Sequence, residues 1–189
     1  MKIKLILISL LLTFYSCKAQ IIPVEEHTNY LDNEIEIPGG TYFKDVNNIL
    51  DKYIGTWKGN YQGNIFEFRI VKLKNNFLGI SVDKLHLRYK ITDNNGNTIL
   101  DTTNLPSSNY LVVKGRYLSK EAGYYVLSYV GEGGNCGQHG DIFISVSSST
   151  PTSMTASLNV GHDMVYLGDC PNGIPEQIIP TEQFTLTKQ

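Results

Sequence analysis

The groups most able to do chemistry in this chain are its four histidines and three cysteines. His139 and Asp141 stand two apart in "QHGD", and His162 is followed directly by Asp163. A histidine oriented by a carboxylate can serve as a general base, which makes His139, Asp141 and His162 candidate site residues. Polar residues among glycines also serve simply to satisfy backbone groups and solvate a loop. No Gly-x-Ser-x-Gly elbow, Cys–His nucleophile or His-Glu-x-x-His accompanies them. No catalytic residue is assigned on this basis, and the chain is read as non-enzymatic. "DNNGN" places Asp93, Asn95 and Asn97 as a calcium loop would, but the twelfth position is Asn104 where a glutamate is required. A hairpin turn is the better reading, and no cofactor is expected.

Cys136 and Cys170 are the two cysteines outside the N-terminal leader described below. In an oxidising compartment an isolated pair bonds. Such a disulfide would close a long loop and stabilise the fold by roughly 3–4 kcal/mol in the chain-entropy model. Together with His139 and His162 the two thiols could in principle hold zinc, but the spacing matches no strong zinc pattern. Tyrosine is abundant, with twelve residues. Adjacent Tyr124 and Tyr125 must face opposite sides of a strand. Tyr125 and Tyr129 are therefore candidates to line a pocket for an amphipathic ligand, or to fill a barrel core. The single tryptophan, Trp57, sits in "DKYIGTWKGNYQG" between a helix-like run and a strand-like one.

The elements that must position these residues are read from hydrophobic periodicity. In "KDVNNILDKYIG", Val46, Ile49, Leu50, Tyr53 and Ile54 form one helical stripe, with Asp45 as N-cap and Gly55 as the C-terminal stop. Beyond Gly55 the period becomes two. Phe66, Phe68 and Ile70 alternate with Glu67 and Arg69. Leu85, Leu87, Tyr89 and Ile91 alternate with His86, Arg88 and Lys90. The same alternation gives inward sets Tyr125, Leu127 and Tyr129; Ile142, Ile144 and Val146; Met154, Ala156, Leu158 and Val160; and a last strand in "EQFTLTK". Turn chemistry separates these runs at Gln62-Gly63-Asn64, Asn75-Asn76, Asp93–Asn97, Glu121-Ala122-Gly123 and Ser149-Thr150-Pro151. The pattern predicts an all-β fold, an antiparallel barrel or closed meander of about eight to ten strands with one short N-terminal helix. Two long irregular segments, 131–141 and 161–180, would sit side by side if the cysteines bond, and loops on a rigid scaffold are the usual seat of binding.

The first nineteen residues read as a secretory signal: Lys2 and Lys4 precede an apolar run too short to span a bilayer as a mature helix. Cleavage after Ala19 and lipoprotein processing before Cys17, which would then carry the lipid, are both compatible with "YSCKAQ". Either route takes the chain out of the cytoplasm, to the periplasm, an outer membrane or the medium, with membrane attachment only through a lipid on Cys17. Residues 20–43 are read as a tether or strap, with a short strand at 34–37, and residues 44–189 as the barrel domain. The leader carries three lysines and no acid. The remainder sets thirteen basic residues against eighteen acidic ones, a net charge of −5. A mildly acidic domain with no basic run is not a nucleic-acid binder.

A short helix, a Gly-x-Trp at Gly55-Thr56-Trp57, a first strand and then an antiparallel meander resemble the entry to a lipocalin or similar calycin-type barrel. The resemblance rests on "DVNNILDKY", Gly55, Trp57 and "KGNYQGNIFEF". It implies a structural Gly55 and a Trp57 that packs across the closed end, beneath Val46, Ile49 and Leu50. The whole chain also resembles small secreted or lipoprotein β-barrels of unknown function from Gram-negative bacteria. Three functions are expected in descending order. The first is binding of a small apolar or amphipathic ligand in the interior or at the loop end. The second is an envelope protein–protein interaction through the loops around Cys136 and Cys170. The third is enzymatic use of His139 or His162.

Overall fold

The computed structural model describes residues 20–119, 123–161, 165, 168 and 170–189. Eleven strands run in chain order: β1 (Ile21–Pro23), β2 (Tyr42–Lys44), β3 (Gly55–Tyr61), β4 (Asn64–Phe77), β5 (Ile80–Thr92), β6 (Thr98–Asp101), β7 (Val113–Ser119), β8 (Tyr124–Val130), β9 (His139–Val146), β10 (Ser153–Val160) and β11 (Phe184–Lys188). One α-helix, α1 (His27–Asp32), lies between β1 and β2.

Eight of these strands close on themselves. The order β5-β4-β3-β11-β10-β9-β8-β7 is antiparallel throughout and returns to β5 through the pairs His86↔Lys114 and Leu87↔Val113. The result is the expected all-β closed barrel with one short N-terminal helix. Every inward residue foreseen from the alternation is buried except Val160, which is partly so. Period-two sequence produces this because successive side chains point to opposite faces of a strand. Phe66, Phe68, Leu85, Leu87 and Ile144 converge inside with Tyr89, Tyr125 and Tyr129, so side chains occupy the interior.

The edge of β5 that faces β7 is shared along its length. β2 pairs with its first residues, β7 with its middle and β6 with its end. β1 adds to β2 in parallel, Ile21 opposite Tyr42 and Pro23 opposite Lys44. The 20–43 segment thus contributes two strands and the helix, while 35–37, in the stretch expected to be a strand, is irregular.

The helix expected over 45–54 is replaced by a compact turn with a single 3-10 turn at Asp51–Tyr53. Asn48 takes a left-handed φ of 55°, which interrupts any helix. Asp45 still caps, but in a tighter geometry. Its carboxylate accepts the Ile49 and Leu50 N–H groups at 2.9 and 3.2 Å and the Lys72 ammonium at 2.9 Å. Only part of the predicted stripe is inside: Leu50 and Tyr53 are buried, whereas Val46 is 45% exposed. Trp57 is fully buried, and its indole N–H donates to the Tyr53 carbonyl at 2.8 Å. Lys188 of β11 sits 5.2 Å from the Trp57 ring.

The turn expected at Asn75-Asn76 moves to Leu78-Gly79, with φ of 47° and 79°. β4 and β5 therefore pair without interruption from Ile65↔Thr92 to Phe77↔Ile80. β3 leaves β4 at Ile70, so the last turns of this hairpin project past the neighbouring strand.

Candidate ligand-binding groove

On the outer face of that projecting hairpin, Leu73, Asn75 and Phe77 of β4 share a surface with Ile80, Val82, Lys84 and His86 of β5. Helix α1 covers one side. It is held there by edge contacts of His27 and Tyr30 with Phe43, at ring separations of 4.8 and 5.3 Å, and by the Thr28 hydroxyl, which donates to the Leu118 carbonyl. The segment 105–114 forms the other side, fixed by Arg88, which donates to the Leu105 carbonyl and to Ser107 Oγ at 2.9 Å each. Between them lies an open groove of about 860 Å³, lined by apolar Leu31, Ile37, Phe77, Ile80 and Val82 and by Lys74, Lys84 and Lys114.

The electrostatics of the groove are one-sided. Three lysines and two histidines line it, and no carboxylate does among the described residues. Burial, then the charge of Arg116, pulls the Lys84 ammonium below its ordinary value. Burial, then Lys84, brings His27 down to about 4. Burial, followed by Lys114, Arg88 and Lys84, does the same to His86, to about 4. Both imidazoles are therefore neutral near pH 7. Asn75 Oδ1 can only accept, so His86 Nε2, 3.1 Å away, carries the ring proton. That leaves His86 Nδ1 as a buried acceptor with no partner among the described residues. A groove with a partly desolvated cation, neutral histidines and no counter-ion is short of negative charge.

The residues singled out from sequence lie elsewhere. Tyr125 is inside the barrel, and its hydroxyl oxygen accepts the Leu85 N–H at 3.1 Å. Tyr129 is also inside, its ring 6.3 Å from that of Tyr89, while His139 and Asp141 are brought together at a second cleft of about 650 Å³ on the outside of β7–β10. There Asp141 accepts two contacts from Arg116 Nη1, at 2.7 and 2.9 Å, while His139 Nδ1 donates to the Gly134 carbonyl at 2.9 Å. Asp141 is thus held by Arg116, and His139 contacts the Gly134 carbonyl. His162 and Cys17 lie outside the described residues. Cys136 and Cys170 form the expected disulfide, with Cα atoms 5.7 Å apart. Gln138 and Gln177 tie the same two loops together by donating to the Glu176 and Gly137 carbonyls. Asp93 accepts the Asn95 and Asn97 N–H groups and closes the hairpin turn expected for it.

The groove residues went unassigned in the sequence. Their one signal was the polar face of "KLHLRYK", where Lys84, His86 and Arg88 alternate with the buried Leu85, Leu87 and Tyr89.

The architecture defines the class: a closed eight-stranded antiparallel barrel with a helix-bearing N-terminal segment paired to its edge. The chain belongs to a family of unknown function, DUF6705, whose model matches residues 1–129. No curated protein and no solved structure matches it. The whole groove falls within the matched residues, whereas the disulfide and most of the polar cleft lie beyond them.

Proposed function

We propose that this is a non-catalytic, extracytoplasmic calycin-like barrel that binds a small amphiphilic anion on its outside. The ligand's apolar part would lie along Leu31, Ile37 and Phe77, and its anionic group would meet Lys84 and Lys114. The observation that carries this reading is a largely apolar groove with three lysines and no lining carboxylate among the described residues. A filled interior turns the ligand expectation outward.

Titration of the exported protein with a dansylated fatty acid tests the proposal. Saturable binding should be displaced by laurate and not by dodecyltrimethylammonium. Lys84→Glu should weaken it about tenfold or more, as loss of a charge-assisted contact requires, while Asn159→Ala, at the polar cleft, should leave it unchanged. Equal affinity for the cationic amphiphile, or an unaffected Lys84→Glu variant, would refute the reading.

A further inference from the structure

The apex of the β4–β5 hairpin carries two neighbouring large apolar side chains pointing into solvent, Phe77 at 75% and Leu78 at 82% exposure. Hairpin tips ordinarily carry polar or small residues. A phenylalanine and a leucine held there by a rigid turn cost solvation unless something covers them. The same end of the molecule receives the N-terminal chain. One cross-strand row joins Asn76, Ser81, Tyr42 and Ile21. Gln20, whose carbonyl accepts the Tyr42 N–H at 2.8 Å, is one step nearer the apex. With strands spaced 4.7–4.9 Å, that places it roughly 10 Å from β5. β1, β2 and β5 are parallel and all run away from the apex. The chain therefore enters the barrel from the apex side, and Cys17 precedes Gln20 by three residues, a chain reach of about 10 Å. Exposed Ile21, Leu31 and Ile35 belong to the strand and helical segment beside this entry.

From this juxtaposition, the exposed Phe77-Leu78 apex beside the point of chain entry, we propose that the apex inserts into the surface of a lipid bilayer. The barrel would then stand on the membrane by its hairpin tip. Asp32 ends α1 and Glu34 and Glu36 follow it, offsetting the lysines of the groove, so apolar contact rather than charge makes the attachment, and zwitterionic lipid suffices. A lipid on Cys17 would engage the same surface. Two weak anchors together give the stable attachment that either alone does not. The proposal does not rest on the ligand assigned to the groove, although Phe77 borders both surfaces.

The test uses the full chain as its cell exports it, with phosphatidylcholine vesicles whose acyl chains are brominated. A Leu78→Trp substitution adds an indole at the apex, and Asn94→Trp adds one to the β5–β6 turn at the opposite end. Quenching of the added indole is expected in Leu78→Trp and absent in Asn94→Trp and in the parent, whose Trp57 is buried. The double variant Phe77→Ser/Leu78→Ser, in a Cys17→Ser background, should partition into vesicles roughly tenfold or more less than Cys17→Ser alone. Lys84→Glu should partition normally, which separates this proposal from the groove reading. No quenching at the apex, equal quenching at both ends, or an apex that instead buries itself in a second copy of the chain without lipid would overturn it.

Discussion

Trp57 is the residue most conspicuous in the sequence, and its surroundings are those of the core. It is fully buried, its only polar group is satisfied by Tyr53, and it lines no described cleft. Trp57→Ala should cost about 3–5 kcal/mol, read as a lowered urea midpoint, because a large cavity opens in a packed core. Asp45 is less visible but comparably placed. Asp45→Ala would strand two backbone N–H groups, while Lys72 would keep its 2.6 Å contact with Asp51. The substitution should cost about 2–3 kcal/mol in the same assay. The histidines give the pH dependence. His27 and His86 are held to about 4 in the folded chain against an ordinary 6.5. A base whose folded value is lowered takes up protons preferentially when unfolded, so stability is full above about pH 7 and declines as pH falls from 6.5 toward 4. Lys84 faces both rings, and Lys114 and Arg88 also act on His86. Urea midpoints should drop between about pH 7 and about pH 5, and a His27→Gln/His86→Gln variant should drop less over that interval. At this scale the sequence marked the disulfide cysteines correctly, and Trp57, expected to pack at the barrel end, is buried. It left the groove lysines unmarked because a lysine on an outer strand face is ordinary until a helix and a loop are seen to wall it in.

Among the elements, strands were legible and short irregular segments were not. Alternation is a property of each strand alone and survives into the structure because one face of every barrel strand is buried. The 45–54 stripe has helical spacing, but its spacing competes with Asn47-Asn48 and with a carboxylate that closes a tighter turn. α1 has six residues and no side-chain cap, so its stability comes from packing on Phe43. Asn75-Asn76 has turn chemistry, yet the uninterrupted ladder from Phe68↔Tyr89 to Phe77↔Ile80 requires the reversal at Leu78-Gly79. Gly79→Ala, forced into a left-handed φ of 79°, should destabilise by about 1 kcal/mol and loosen the apex, seen as faster amide exchange at Phe77 and Ile80. Gly115 of β7 is a different case. A methyl group there would collide with the Tyr125 hydroxyl and the Leu85 carbonyl. It lets β7 approach β5 closely enough to close the barrel.

For the whole molecule, the barrel and its disulfide were readable because both follow from patterns that need no tertiary information. The association of 20–44 with the edge of β5 was not, since two three-residue strands carry no periodicity of their own. The disulfide spans 34 residues and lies at the pole opposite the hairpin apex. Reduction should lower stability by about 3–4 kcal/mol. The eight-strand core, whose strands pair without it, should keep its far-ultraviolet circular dichroism at low denaturant.

The parallel pairing of β1 with β2, and of β2 with β5, has a mechanical consequence. Tension on the chain ahead of Gln20 acts along the axes of all three strands. The hydrogen bonds of the β1–β2 ladder, Ile21↔Tyr42 to Pro23↔Lys44, then share the load at once instead of opening singly from one end as they would under a sideways pull. The short edge strand is therefore a strain relief: a molecule tugged by its N-terminus resists in shear, and the closed barrel behind it is the last part to feel the force.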